Sequence, residues 1–238
     1  MEFWIALWEK ISFPLICLIV VAGLYLLAKL AEHFMPRRQD VSKTRRICIT
    51  AICAAVAAVL QVLDFPLLFL APEFYKLDFS EVPVLLCGFY LGPAAAVVCE
   101  ALKIVLKLIF KSTSTAFVGD FANFVVGCSM VLPAVILYDT RKTRRTAVVG
   151  LATGTGTMTV FGSLFNAFYL LPTFAELFHW PLDEIIAAGS AINPAISDIS
   201  TFVLLSVAPL NLIKGISVSV LTLLLYKRIA RPLFGLKQ

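Results

Sequence analysis

Six stretches of at least fifteen residues run without an Asp, Glu, Lys or Arg: 11–28, 47–63, 82–99, 121–138, 146–175 and 199–213. A helix needs roughly 20 mainly apolar residues to cross the hydrocarbon core, and several of these runs approach that length. With 60% hydrophobic residues and a mean hydropathy of +0.93 in 238 residues, a soluble domain of this size could not hide so much apolar surface. The chain therefore reads as an all-α integral membrane protein.

Charge fixes how the spans alternate. Basic residues cluster at Arg37, Arg38, Lys43, Arg45 and Arg46, at Arg141, Lys142, Arg144 and Arg145, and at Lys227, Arg228, Arg231 and Lys237. Acids gather elsewhere, at Asp64, Glu73, Asp78 and Glu81 and at Glu176, Asp183, Glu184 and Asp198. Lys and Arg favour the cytoplasmic side of a membrane. Placing the basic clusters there puts the C-terminus inside and the N-terminus outside. The net charge of +5 follows this topology and is no nucleic-acid signal.

The first apolar run predicts a membrane helix over roughly 11–33. It is not read as a signal peptide, because the positive cluster follows the run and no convincing cleavage site is present. The next span runs over 45–70, with Ala51/Ala55 and Ala54/Ala58 spaced four apart, a pattern that lets helices approach closely. Residues 66–80 read as an outer loop rich in aromatics. The segment 82–91 is too short to cross alone, and Gly92-Pro93 breaks it, so protein or a cavity must cover its backbone. Glu100 and Lys103 predict an internal ion pair on the following helix, while Lys107 and Lys111 are expected to snorkel to the interface. Gly150, Gly154, Gly156 and Gly162 are expected to permit close packing of the span over 146–172. Residues 173–197 read as a long connection before the last span, which begins near Asp198.

The polar residues inside these spans carry the functional information. Lys214 is a single ammonium between uncharged runs, and mid-bilayer burial of such a group costs roughly 2.5–3.5 kcal/mol on insertion scales. It must therefore face protein or a wet cavity. Asn211 lies one turn away on the same face, and Asn166 and Asp120 stand on other spans. A few placed donors and acceptors among apolar walls suit a binding pocket, and amides suit a heterocycle with alternating C=O and N–H groups. No Ser/His/Asp set, HExxH or Walker A motif is present, which argues against an enzyme and against self-powered transport. The six cysteines show no CxxC spacing and the two histidines stand apart, so no metal site and no cofactor is expected.

The stretches LDFSEVP (77–83), GFYLGP (88–93), VGDFANF (118–124), NAFYLLP (166–172) and PLNLIKG (209–215) together closely resemble the riboflavin-specific S components of energy-coupling factor (ECF) transporters. The resemblance covers about 45–231. It implies a six-helix S-component bundle, here with one extra N-terminal transmembrane helix: residues 1–40 form an anchor and basic linker, and 41–238 the riboflavin-binding domain. It implies capture of riboflavin from outside the cell, in a bacterial cell membrane. A separate transmembrane coupling subunit and two ATPase subunits would supply the energy. Leu77 and Ser80 would close on the ligand, Ala116 and Asp120 would lie against it, and Asn166, Asn211 and Lys214 would make polar contacts. Lys214 would then be a ligand donor and not an ion-pair partner. Ala51 and Ala55 would dock the coupling subunit. An S component for another vitamin or precursor, and a membrane interaction subunit without transport, are the alternatives.

Overall fold

The computed structural model describes residues 2–35, 41–113 and 115–234. The boundary near residue 40, with Arg37 and Arg38, lies outside the described residues, as does Lys237. Ten α-helices are described: α1 (Glu2–His33), α2 (Lys43–Val62), α3 (Glu81–Leu91), α4 (Pro93–Phe110), α5 (Val118–Arg141), α6 (Arg144–Phe165), α7 (Leu171–Leu177), α8 (Leu182–Ser190), α9 (Ile199–Phe202) and α10 (Ala208–Phe234). Phe65–Pro66 (β1) pairs antiparallel with Lys76–Leu77 (β2), so the loop between α2 and α3 is pinned as a small hairpin. Five segments among the described residues are long and apolar enough to cross a membrane: Phe13–His33, Lys43–Val62, Val118–Arg141, Arg144–Leu177 and Ile199–Tyr226.

The short helix α3 lies at the centre. Gly92, at φ 112°, ends it in a conformation that side chains rarely adopt, and Pro93 opens α4 where no intrahelical donor is needed. Ten of its eleven residues are buried, because α2, α4, α5 and α10 surround it. An apolar helix too short to span is thus covered by protein on all sides, as its backbone requires.

Helices α5 and α6 form the most extensive helix pair. Thr143 and Thr146 cap the start of α6 reciprocally, each accepting the other's backbone N–H, which satisfies two free donors. Gly150 and Gly154 face the carbonyls of Ala134 and Met130 at a distance that leaves no room for a Cβ. Gly156, expected to pack in the same way, instead faces open space, since nothing lies within 4 Å of where its Cβ would be.

Two membrane segments each contain one widened π turn, Asn166–Leu170 and Val203–Val207. Each is followed two residues later by proline, Pro172 and Pro209. Proline lacks the N–H that would bond four residues back and its ring crowds that carbonyl, so a wider turn absorbs the defect without ending the helix. Residues 173–197, expected to be a connection, carry the end of α7 and all of α8; Asp183 and Glu184 in the first turn of α8 complement its dipole.

Helix α1 packs on α4 and α5, with Ala28 fully buried against Ala94, Val97 and Cys128. At its end, Glu32 accepts the backbone N–H of Ala94 at 3.1 Å. A bulky residue at a helix contact tests this packing. Gly154→Leu is expected to destabilise the fold by about 1–3 kcal/mol or more through overpacking, whereas Gly156→Leu is expected to leave it unchanged. Thermal unfolding in detergent distinguishes the two.

Candidate functional site

A cavity of about 710 Å³ opens at the end of the bundle that carries the hairpin. Its walls come from the hairpin loop, the C-terminal end of α4, the start of α5, the π turn after α6, and helices α7, α8 and α10. Phe74, Tyr75, Phe174, Phe178 and Trp180 supply an aromatic side. Phe74 lies against Tyr75 with ring centroids 4.8 Å apart and meets Trp180 edge-on at 5.8 Å.

Beneath the cavity is a network of buried charge. Lys214 Nζ lies 3.0 Å from Asp78 Oδ2 and 3.0 Å from Glu81 Oε1. Lys103 Nζ lies 2.5 Å from Glu100 Oε1 and 3.4 Å from Glu81 Oε1, and it also donates to Ser80 Oγ and Asn123 Oδ1. Glu81 therefore bridges two ammonium groups that come from α4 and α10. Asp78 Oδ1 accepts both the backbone N–H and the hydroxyl of Ser80. Burial works to raise the Asp78 carboxyl, but the Lys214 and Lys103 ammoniums outweigh it and hold the group at about 2.

Lys214 is thus an ion-pair partner, contrary to the expectation that it would be only a ligand donor. The reason is the cost of an isolated ammonium: two carboxylates carried by the hairpin and α3 reach it before any ligand does. Lys107 departs from expectation for the same reason, whereas Lys111 stays 40% exposed. Lys107 pairs with Asp120 at 2.6 Å and is only 13% exposed, and Lys111 pairs with Asp64 at 2.9 Å. The anticipated Glu100–Lys103 pair is present, but within the larger network.

Four of the predicted ligand residues, Asp120, Asn166, Asn211 and Lys214, line this one cavity. Tyr75 donates its hydroxyl to Asn166 Oδ1 at 2.7 Å, while Asn166 Nδ2 donates to the Gly162 carbonyl at 2.8 Å. Asn211 Nδ2 and Asp120 Oδ2 are buried without a hydrogen-bond partner. Leu77 and Ser80 are buried behind the wall and do not line it, and Ala116 is exposed, in a left-handed turn (φ 45°) that precedes α5. Ala51 and Ala55 lie on the exposed face of α2, whereas Ala54 and Ala58 face the core.

Sequence reasoning did not anticipate Tyr75, Asp78, Glu81 or Asn123 in this arrangement. A signal was available for Glu81: it directly precedes a run without charge, and a carboxylate there must find a cation. Its partner Lys214 is 133 residues away, a pairing that only the assembled helices reveal.

The network predicts unequal consequences for its members. Lys103→Met leaves three carboxylates with one ammonium and is expected to cost about 3–5 kcal/mol. Glu81→Gln leaves two carboxylates with two ammoniums and is expected to cost clearly less. Chemical or thermal unfolding in detergent checks the order. For Asp78, whose carboxyl is held below its ordinary 3.8, the contribution to stability is fully present above that value and is lost as pH falls through about 2.

Comparison with known proteins follows the same outline. The family model described as "ECF transporter, substrate-specific component" matches residues 45–226. The riboflavin transporter RibU of Staphylococcus aureus is 31% identical over 194 residues, covering 82% of this chain and 95% of that protein. The riboflavin transporter FmnP of Bacillus subtilis is 31% identical over 187 residues, covering 77% of this chain and 91% of that protein. A solved structure described as the S component of a bacterial ECF transporter is similar with a TM-score of 0.62 and 32% identity, covering 80% of this chain and 98% of that one. The matched region begins after α1.

Proposed function

Because the chain belongs to the substrate-specific components of ECF transporters, we propose that it captures riboflavin from outside a bacterial cell and presents it for ATP-driven uptake. The similar RibU and FmnP proteins are riboflavin transporters, and the cavity suits the same ligand. The observation that carries the reading most directly is a matched pair of unsatisfied groups, the Asn211 amide N–H and an Asp120 carboxylate oxygen, in one cavity beside an aromatic wall. Buried polar groups are costly when unpaired, and a ligand with alternating carbonyl and N–H groups plus hydroxyls supplies partners for both. The volume of about 710 Å³ falls in the usual range for small-molecule sites.

In this reading Asn211 and Asp120 contact the ligand directly. Lys214 offers a remaining N–H while Asp78 and Glu81 hold it in place. Asn166 exchanges its bond with Tyr75 for one with the ligand. Leu77 and Ser80 act from behind, anchoring the hairpin through the buried network, and Ala116 forms part of the rim. The cavity faces outward and the basic clusters and C-terminus face the cytoplasm, following the distribution of Lys and Arg. A coupling subunit docks on the exposed alanine face at Ala51 and Ala55, and two ATPase subunits drive the cycle. The residues around 1–40 act as a membrane anchor and the remainder as the ligand-binding domain. The protein catalyses no reaction of its own.

The protein purified in detergent is expected to carry flavin absorbance, and added riboflavin is expected to lose fluorescence on binding. Asn211→Ala is expected to weaken binding about tenfold, the worth of one good hydrogen bond, with no change in unfolding temperature. A folded protein that binds no flavin refutes the reading, and preferential competition by a different vitamin reassigns the ligand.

A further inference from the structure

A second cavity, of about 390 Å³, lies between α1, α2 and α4 at the opposite end of α4 from the first. One end of it carries Lys29 of α1 and Arg46 of α2. Both cations are directed at one carboxylate: Glu32 lies 3.1 Å from Lys29 Nζ and 3.9 Å from Arg46. Glu32 also accepts the Ala94 N–H, so among the described residues one anion serves two cations and a backbone donor. Among the described residues the cluster has one excess positive charge, and both cations remain more than 40% exposed.

Beyond the cations the groove is apolar apart from Thr50, whose hydroxyl donates to the Arg46 carbonyl. Ala51 on one side and Ala95, Val98 and Leu102 on the other line it, and Val98 and Leu102 are 37% and 39% exposed. From Ala94 to Leu102 the α4 wall runs about 12 Å at 1.5 Å per residue, close to the roughly 15 Å of one leaflet's hydrocarbon. Tyr25 flanks the polar end, with Lys29 Nζ 5.9 Å from its ring centroid. An aromatic ring and two cations at the top of an apolar channel match the interfacial end of a lipid and its acyl chain.

We propose that this groove, formed where α1, packed on α4, stands across from α2, is a binding site for a phospholipid with an anionic headgroup. The phosphate pairs with Lys29 and Arg46, and an acyl chain lies along Val98 and Leu102 of α4. Charge complementarity selects the occupant. A zwitterionic lipid brings its own cation to a site that already has an excess of positive charge, and a purely apolar helix would leave that excess unanswered. The site is separate from the riboflavin cavity and does not depend on that reading.

The test uses the full chain in mixed micelles of phosphatidylglycerol and phosphatidylcholine, with bound lipid counted by native mass spectrometry. Preferential retention of phosphatidylglycerol is expected. The double variant Lys29→Ala/Arg46→Ala is expected to reduce it about tenfold. Val98→Phe, which fills the groove without altering charge, is expected to reduce it as well, and an unchanged unfolding temperature shows that either variant is folded. Equal retention of the two lipids, or retention that neither variant changes, overturns the proposal. A photoreactive residue replacing Val98 in cells is expected to form adducts with phospholipid; adducts with polypeptide alone overturn the proposal and assign the groove to a protein partner.

Discussion

The sharing of Glu81 between Lys103 and Lys214 is the constraint on which the rest of this bundle depends. Lys214, alone in its apolar span, would be untenable and is satisfied by Asp78 and Glu81, while Lys103 pairs with Glu100 on its own helix and also reaches Glu81. The pairings tie α4 and α10, the hairpin and the central short helix into one unit. Buried ion pairs contribute little net stability compared with apolar packing, but removing one partner is expensive. Their effect is to specify the arrangement, because a different packing of these helices would strand a charge in hydrocarbon.

The same economy governs the backbone. Helix α3 is too short to cross and is covered by its neighbours, while the prolines at 172 and 209 force widened turns within otherwise continuous segments. The two turns place Asn166 and Asn211 toward one cavity. The irregularities of the fold and the polar residues of the site are therefore neighbours in the chain, consistent with the rule that irregular backbone at membrane depth lines a cavity or is buried in protein.

Much of this was legible before any coordinates. The uncharged runs define the helices, Gly92-Pro93 marks the break between α3 and α4, and the isolated Lys214, Asn211 and Asn166 mark residues that must face a polar interior. Partners were not legible, because period and spacing speak of one helix at a time. Nothing along the chain says that Lys214 meets Asp78 and Glu81, or that Tyr75 reaches Asn166 across 91 positions. The expectation of snorkelling failed for Lys107 because Asp120 lies within reach on the adjacent helix, a fact of packing and not of pattern. The role of Gly156 failed likewise: a glycine on a helix with other packed glycines need not share their face.

The hydrogen bond from Tyr75 to Asn166 has an energetic meaning beyond its place in the wall. A side chain of the hairpin already occupies the carbonyl that a ligand would need. A ligand that takes Asn166 thus replaces one bond with another of similar strength and gains little from it directly. In the proposed reading, where Asn166 turns from Tyr75 to the ligand, the hairpin would lose one of its ties to the helices as the cavity fills. Occupancy would then be converted into slack in the covering loop, and how firmly the cover is held would signal that the molecule is loaded.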